Sequence, residues 1–201
     1  MERNLKTPRK YAYIVVFGAV WGGIEMSLGG IFHAVNLPFK GTILSAMGAF
    51  ILISARLLAG GRWSSLYIGV IAAGIKLFSL GGLVLSPAIA ILLESALAEL
   101  IFSLVPPGFV SAWLTGAAIV CYTVFHRIFA FLIIYHSEIS DLGAMLRKEA
   151  SLATDVFKVS LTLLLLLFFA LHFLVGSLSG FLAYLTNRKA LKRMRGDAEL
   201  S

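Results

Sequence analysis

Seven of the ionisable side chains inside long apolar stretches of this chain are candidates for chemistry, because charged or imidazole groups in such surroundings can bind ligands or move protons. They are Glu25, Lys76, Glu94, Glu99, His126, Arg127 and His172. An ionisable residue within a membrane helix is costly, and it usually faces a polar cavity or an opposite charge. We therefore take these seven as candidate substrate-binding residues, together with His33 and Asn36 at the mouth of the same site.

A structural interpretation of the same residues stays open beside the functional one. Lys76 and Glu94 would lie at similar depth and could form a buried ion pair, which alone is weak evidence for function. Glu99 could likewise pair with Arg127, and each histidine could satisfy a neighbouring carbonyl group.

The break before the fourth apolar stretch allows a more specific prediction of how the pocket binds its substrate. Ser86 can cap a helix that starts at Pro87, and the free N–H groups of that helix start favour a negative charge. We expect Lys76 and this helix start to hold an anionic or acceptor group of the substrate, while Glu94 and Glu25 accept its donors.

The composition excludes an ordinary soluble protein. The 201 residues are 59% hydrophobic and 13% charged, and the mean hydropathy is +0.93. A typical soluble domain has about 45–50% apolar and about 25% charged residues. A disulfide scaffold is excluded too, because Cys121 is the only cysteine. We therefore predict an all-α polytopic membrane protein that forms one compact domain.

Six apolar stretches are candidates for membrane-spanning helices, each of which needs about 20 residues. They are residues 11–32, 41–60, 63–80, 86–105, 109–136 and 160–186. The third is short, so it should lie deep in the bundle or at a shallow position. Residues 137–158 carry a near-neutral mixture of charges and are predicted to form an external amphipathic segment.

The net charge of +7 comes largely from basic residues near both ends of the chain. Basic residues beside apolar spans mark cytoplasmic ends, which favours a plasma-membrane protein with both termini in the cytoplasm rather than a nucleic-acid-binding protein. At 1.5 Å per residue, most of the ionisable residues then fall in the outer half of the bilayer. The pattern predicts a polar pocket that opens to the outside.

Small residues form a second pattern, in Gly18-x-x-x-Gly22, Ala19-x-x-x-Gly23 and Gly176-x-x-x-Gly180. This spacing allows helices to approach closely. Signatures of metalloproteases, serine hydrolases and P-loop ATPases are missing from the sequence, so we expect no catalytic residues, no metal and no cofactor. Two alternatives remain, an intramembrane enzyme that uses Glu94, Glu99 and His172, and a stand-alone ion-coupled carrier.

Several segments together resemble a known family. They are the run Leu37–Gly48 (LPFKGTILSAMG), the pair Gly60-Gly61, the pattern Gly69-x-x-x-Ala73-Gly-x-Lys76, and the last helix Leu171–Gly180 followed by a basic tail. With six spans and this length, the chain is similar to the substrate-binding S component of energy-coupling factor (ECF) transporters.

The resemblance implies a function and partners. An S component captures a vitamin, a vitamin precursor or a related micronutrient near the outer face of the membrane. It docks on a transmembrane T subunit that carries two ATPase subunits, and it topples in the bilayer to release its cargo. Docking would use the small residues of helix one, namely Gly18, Ala19, Gly22 and Gly23, and the loop from His33 to Lys40 would act as a lid.

Overall fold

The computed structural model describes residues 7–35, 38–78, 85–129 and 161–199, and the ordered elements there are all α-helices. The six helices are α1 Thr7–Ala34, α2 Lys40–Ala59, α3 Ser64–Leu77, α4 Leu85–Leu104, α5 Phe109–Phe129 and α6 Leu161–Glu199. Five of them are long and apolar enough to cross a membrane. The predicted helical membrane fold is confirmed. Asn36 and the predicted amphipathic segment 137–158 lie outside the described residues.

The helices run alternately up and down, so the bundle has two distinct ends. The upper end holds the last turns of α1, α3 and α5 and the first turns of α2, α4 and α6. Side-chain contacts between Lys76 and Glu25 and between Ser86 and His126 join helices there. The lower end holds the turns that connect α2 to α3 and α4 to α5, where Lys10 donates a hydrogen bond to the carbonyl of Arg62.

The second helix is the centre of the bundle, because it contacts each of the other five helices. α3 packs between α1 and α4. Its 14 residues span about 21 Å, which is less than the roughly 30 Å hydrocarbon core of a bilayer. The third element is therefore short, as expected, and its exposed Tyr67 and Val70 place one face of α3 at the bundle surface.

Glycines permit the closest helix contact, which joins α5 to α6. A Cβ atom added to Gly176 would collide with the backbone of Gly116, and one added to Gly180 would collide with the carbonyl of Ala112. The backbones therefore touch directly, as the Gly-x-x-x-Gly spacing predicts for packing within a membrane bundle.

The surface of the bundle is apolar while much of its interior is polar. Large hydrophobic side chains such as Val16, Leu166 and Leu174 are exposed. Several charged side chains, by contrast, are more than nine-tenths buried. This arrangement suits lipid as the surrounding solvent, since charged groups inside a membrane face the protein interior.

Two helix boundaries differ from the sequence-based predictions. α6 continues to Glu199 through the basic residues that were predicted to follow the last span. α4 begins at Leu85, not at Pro87, and the Ser86 hydroxyl contacts the Nε2 atom of His126 instead of acting as the predicted cap.

Candidate functional site

A buried ion pair joins α1 to α3 near the upper end. The Nζ atom of Lys76 lies 3.5 Å from the Oε2 atom of Glu25 and donates a hydrogen bond of 2.5 Å to the carbonyl oxygen of the same residue. Gly29, one turn above Glu25, leaves space for the ammonium group, because an added Cβ atom would lie 2.6 Å from Nζ. Lys76 therefore pairs with Glu25 and not with Glu94.

Glu94 projects from α4 towards α2, where its Oε1 atom accepts a short hydrogen bond from the hydroxyl group of Ser45. Its side chain is buried, with only 4% of its surface exposed. Ser45 is the only hydrogen-bond partner of Glu94 within the described ranges. This carboxylate thus lies in the bundle centre with a neutral neighbour.

His172 reaches α2 from α6, one helical turn above Ser45. Its Nε2 atom lies 2.8 Å from the hydroxyl of Thr42, and its Nδ1 atom lies 2.6 Å from the carbonyl of Phe168. A carbonyl only accepts hydrogen bonds, so Nδ1 donates, and a neutral ring then accepts the Thr42 proton at Nε2. The ring also stacks on Phe168, which contacts Phe39 at 5.5 Å between ring centroids.

A chain of three polar groups links α4 to α5 at the upper end. The Nε2 atom of His126 lies 3.3 Å from the hydroxyl of Ser86, and its Nδ1 atom lies 3.1 Å from the hydroxyl of Tyr122. The imidazole is half-buried. These groups lie closer to the upper end of the bundle than Glu94 does.

Two further predicted site residues lie at this end. Arg127 approaches the first turn of α2, because its Nη2 atom lies 3.5 Å from the position of a Cβ atom on Gly41. His33 belongs to the last turn of α1, and Asn36 lies outside the described residues.

The structure does not place Glu99 with the other candidates, and its predicted pairing with Arg127 is wrong. Glu99 lies near the lower end of α4, 3.7 Å from the Nη2 atom of Arg56. Its carboxylate accepts hydrogen bonds from the backbone N–H groups of Trp63 at 2.7 Å and of Ser65 at 3.1 Å. Arg127 lies near the opposite end of α5, so one helix length separates the two residues.

These contacts give Glu99 a structural role at the turn between α2 and α3. Trp63 has a left-handed backbone conformation with φ of 70°, which is uncommon for a bulky residue. The Glu99 carboxylate fixes that turn by accepting the hydrogen bond of the Trp63 N–H group. It also places a negative charge at the start of α3, where the helix dipole favours one. Arg56, also buried, donates a hydrogen bond to Ser64 of the same turn.

The predicted docking face of α1 divides into two. Gly18 and Gly22 are buried against α3, where an added Cβ atom would lie 2.8 Å from Ile71 and Ile75 respectively. They serve packing within the bundle, so their assignment to a partner-docking surface is wrong. Ala19 is exposed, and the space around a Cβ atom on Gly23 is open.

Sequence reasoning missed the hydroxyl groups that organise this site. Thr42 and Ser45 are three residues apart in α2, so they project from one face towards His172 and Glu94. The available signal was their position within a helix whose other residues are almost all apolar or small. Tyr122 carried no comparable signal.

Comparisons of the chain with protein-family models, with curated proteins and with solved structures found no match. Across the described ranges, there is no group of three or more His, Cys, Asp or Glu side chains placed to hold a metal ion. The donors and acceptors described above come from all six helices and lie between the upper end and the middle of the bundle.

Proposed function

We propose that this protein is the membrane-embedded substrate-binding subunit of an ECF-type transporter, which captures a vitamin, vitamin precursor or related micronutrient for uptake driven by partner ATPases. The observation that carries the proposal is the buried polar cluster near the upper end, formed by Glu25, Ser45, Lys76, Glu94 and His172. Five helices contribute to it, as expected of a small-molecule site in a helix bundle. The resemblance to S components is the second support.

The exposed face of α1 supports the docking part of this proposal. Small residues lie about one turn apart along it at Ala19, Gly23, Ser27 and Gly30, and all but Gly23 are exposed. Added Cβ atoms on Gly23 and Gly30 would meet nothing within 4 Å. A straight row of small side chains lets a second helix approach closely in the membrane, as a T subunit would.

Ligand binding tests the proposal directly. The purified protein in detergent should bind one compound from a panel of vitamins and vitamin precursors in the absence of ATP. Lys76→Met and Glu94→Gln should each weaken that binding about tenfold or more, because removing one polar partner from a buried site costs about 1–3 kcal/mol of binding free energy. Failure of every compound on the panel to bind would refute the proposal.

Complex formation tests the docking face with a matched pair of variants. Gly23→Leu should block co-purification with the T subunit while the isolated subunit keeps its stability and its ligand. Gly22→Leu should instead destabilise the isolated subunit, because the new side chain collides with α3. A Gly23→Leu variant that still assembles would contradict the assignment.

The alternative functions receive less support from the geometry. An enzyme using Glu94, Glu99 and His172 together is disfavoured, because Glu99 is engaged by the turn between α2 and α3. A stand-alone carrier is tested by reconstitution of the lone chain in liposomes. Substrate accumulation driven by an ion gradient, without ATPases, would favour the carrier over the proposed function.

A further inference from the structure

The buried charged side chains of the described ranges form oppositely charged pairs, with one exception. The buried charged side chains of the described ranges are Glu25, Arg56, Lys76, Glu94 and Glu99. Arg56 pairs with Glu99 at the lower end, and Lys76 pairs with Glu25 at the upper end. Glu94 is left with a neutral partner, the hydroxyl group of Ser45.

A single hydroxyl group does not satisfy a buried carboxylate. An ionised carboxylate has about four acceptor positions, and a serine hydroxyl fills one of them. A charge removed from water is retained only where it is paired, or else it is neutralised by a proton. Within the described ranges, the ion pairs are those of Arg56 with Glu99 and of Lys76 with Glu25, and Glu94 takes part in neither.

The groups around Glu94 suit an organic cation better than a metal ion. Ser45 and Thr42 lie one turn apart on the same face of α2, so the imidazole of His172, bound to Thr42, lies above the carboxylate. Phe168 stacks on that imidazole and Phe39 packs on Phe168. These rings lie above the carboxylate, towards the upper end, and an aromatic face attracts an organic cation through its quadrupole.

We propose that Glu94 binds the positively charged group of the substrate, and that the substrate is a small organic cation with a primary amine, an amidine or a protonated ring nitrogen. This inference rests on the proposed function and specifies its substrate class. It replaces the expectation that Lys76 holds an anionic group, because Glu25 already neutralises the ammonium group of Lys76.

Matched pairs of small compounds test the charge preference. The thermal stability of the purified protein is measured with benzylamine, benzamidine and 4-aminopyridine, with the neutral benzyl alcohol and benzamide, and with benzoate. The three cations should raise the melting temperature in a saturable way, while the neutral compounds and benzoate leave it unchanged. Glu94→Gln should weaken the apparent affinity for the cations at least tenfold, and Glu94→Asp, which keeps the charge, should retain part of it.

A charge-matched control separates the role of Glu94 from general electrostatics. The double variant Arg56→Met/Glu99→Leu removes one negative and one positive charge at the lower end, outside the cluster, so it should keep the preference for cations. Each variant must elute as a single species in gel filtration before its binding is compared.

The possible results also separate this inference from the proposed function. Binding of benzoate or of neutral compounds in preference to cations, or an unchanged cation preference in Glu94→Gln, would overturn the inference while leaving a substrate-binding subunit in place. If neither these compounds nor the vitamins and precursors bind, both the inference and the proposed function fail.

Discussion

Replacing Glu99 by glutamine is the sharpest test of the structural interpretation, because the sequence alone placed this residue in the substrate site. The carboxylate has three partners, the Trp63 and Ser65 N–H groups and the Arg56 guanidinium. Glutamine keeps one acceptor oxygen but loses the charge that balances Arg56. We therefore expect Glu99→Gln to destabilise the folded protein and to leave the upper cluster intact.

The magnitude follows from the burial of both partners. The side chains of Arg56 and Glu99 are only 3% and 5% exposed. Removing one partner of such a pair leaves an uncompensated buried charge and costs about 3–5 kcal/mol. This corresponds to roughly 10²- to 10⁴-fold in the unfolding equilibrium constant, and it is a large part of the about 5–15 kcal/mol that stabilises a typical domain.

Unfolding in mixed micelles with increasing dodecyl sulfate, followed by circular dichroism, would measure the loss. The double variant Arg56→Met/Glu99→Leu should recover part of the stability lost in Glu99→Leu, because no lone charge remains buried. The two N–H groups at the start of α3 still lose their acceptor, so the recovery is incomplete. The double-mutant cycle isolates the coupling between the two residues.

Two results would refute this reasoning. Glu99→Gln could unfold within about 0.5 kcal/mol of the unchanged protein, a difference typical of an uncritical surface substitution. Alternatively, it could fold normally and lose ligand binding, which would return Glu99 to the substrate site.

Three further predictions concern packing and polar contacts. Gly176→Leu should destabilise the protein severely, whereas Gly74→Leu should be tolerated because its added side chain meets open space. The melting temperatures of the two variants measure this difference. Glu25→Gln should lower the unfolding free energy by about 3–5 kcal/mol, and the double variant Glu25→Gln/Lys76→Met should restore part of that loss. A Glu25→Gln variant as stable as the unchanged protein would contradict a buried pair. Asn187→Ala should cost about 1 kcal/mol in dodecyl sulfate titration, since its side-chain amide donates to the Ser54 hydroxyl at 2.9 Å.

The predictable part of the fold rests on local physics. The apolar stretches predicted the helices to within a few residues at most ends, because a backbone in lipid must satisfy its own hydrogen bonds and therefore forms helices. The short third element was predictable from its length, and close packing at Gly176 and Gly180 from their spacing.

The identity of the contacts was not predictable, because side-chain partners depend on how each helix rotates about its axis. A rotation of one residue, about 100°, decides whether Lys76 faces Glu25 or Glu94. The same rotation turns Gly18 and Gly22 towards α3 and leaves Ala19 and Gly23 outside. No local pattern in the sequence fixes such a rotation.

Composition determined that this chain is a helical membrane protein, since its apolar residues far exceed what a soluble core can use. The apolar stretches pointed to most of the buried ionisable residues, although Arg56 is buried and was not a candidate, and His126 and Arg127 are only half-buried. Only the tertiary structure decided that Glu99 balances Arg56 at the lower end and that Glu94 keeps a neutral partner in the bundle centre. The physical reason is that a buried charge is stabilised by groups brought from other helices, and their positions are set by packing of the whole bundle.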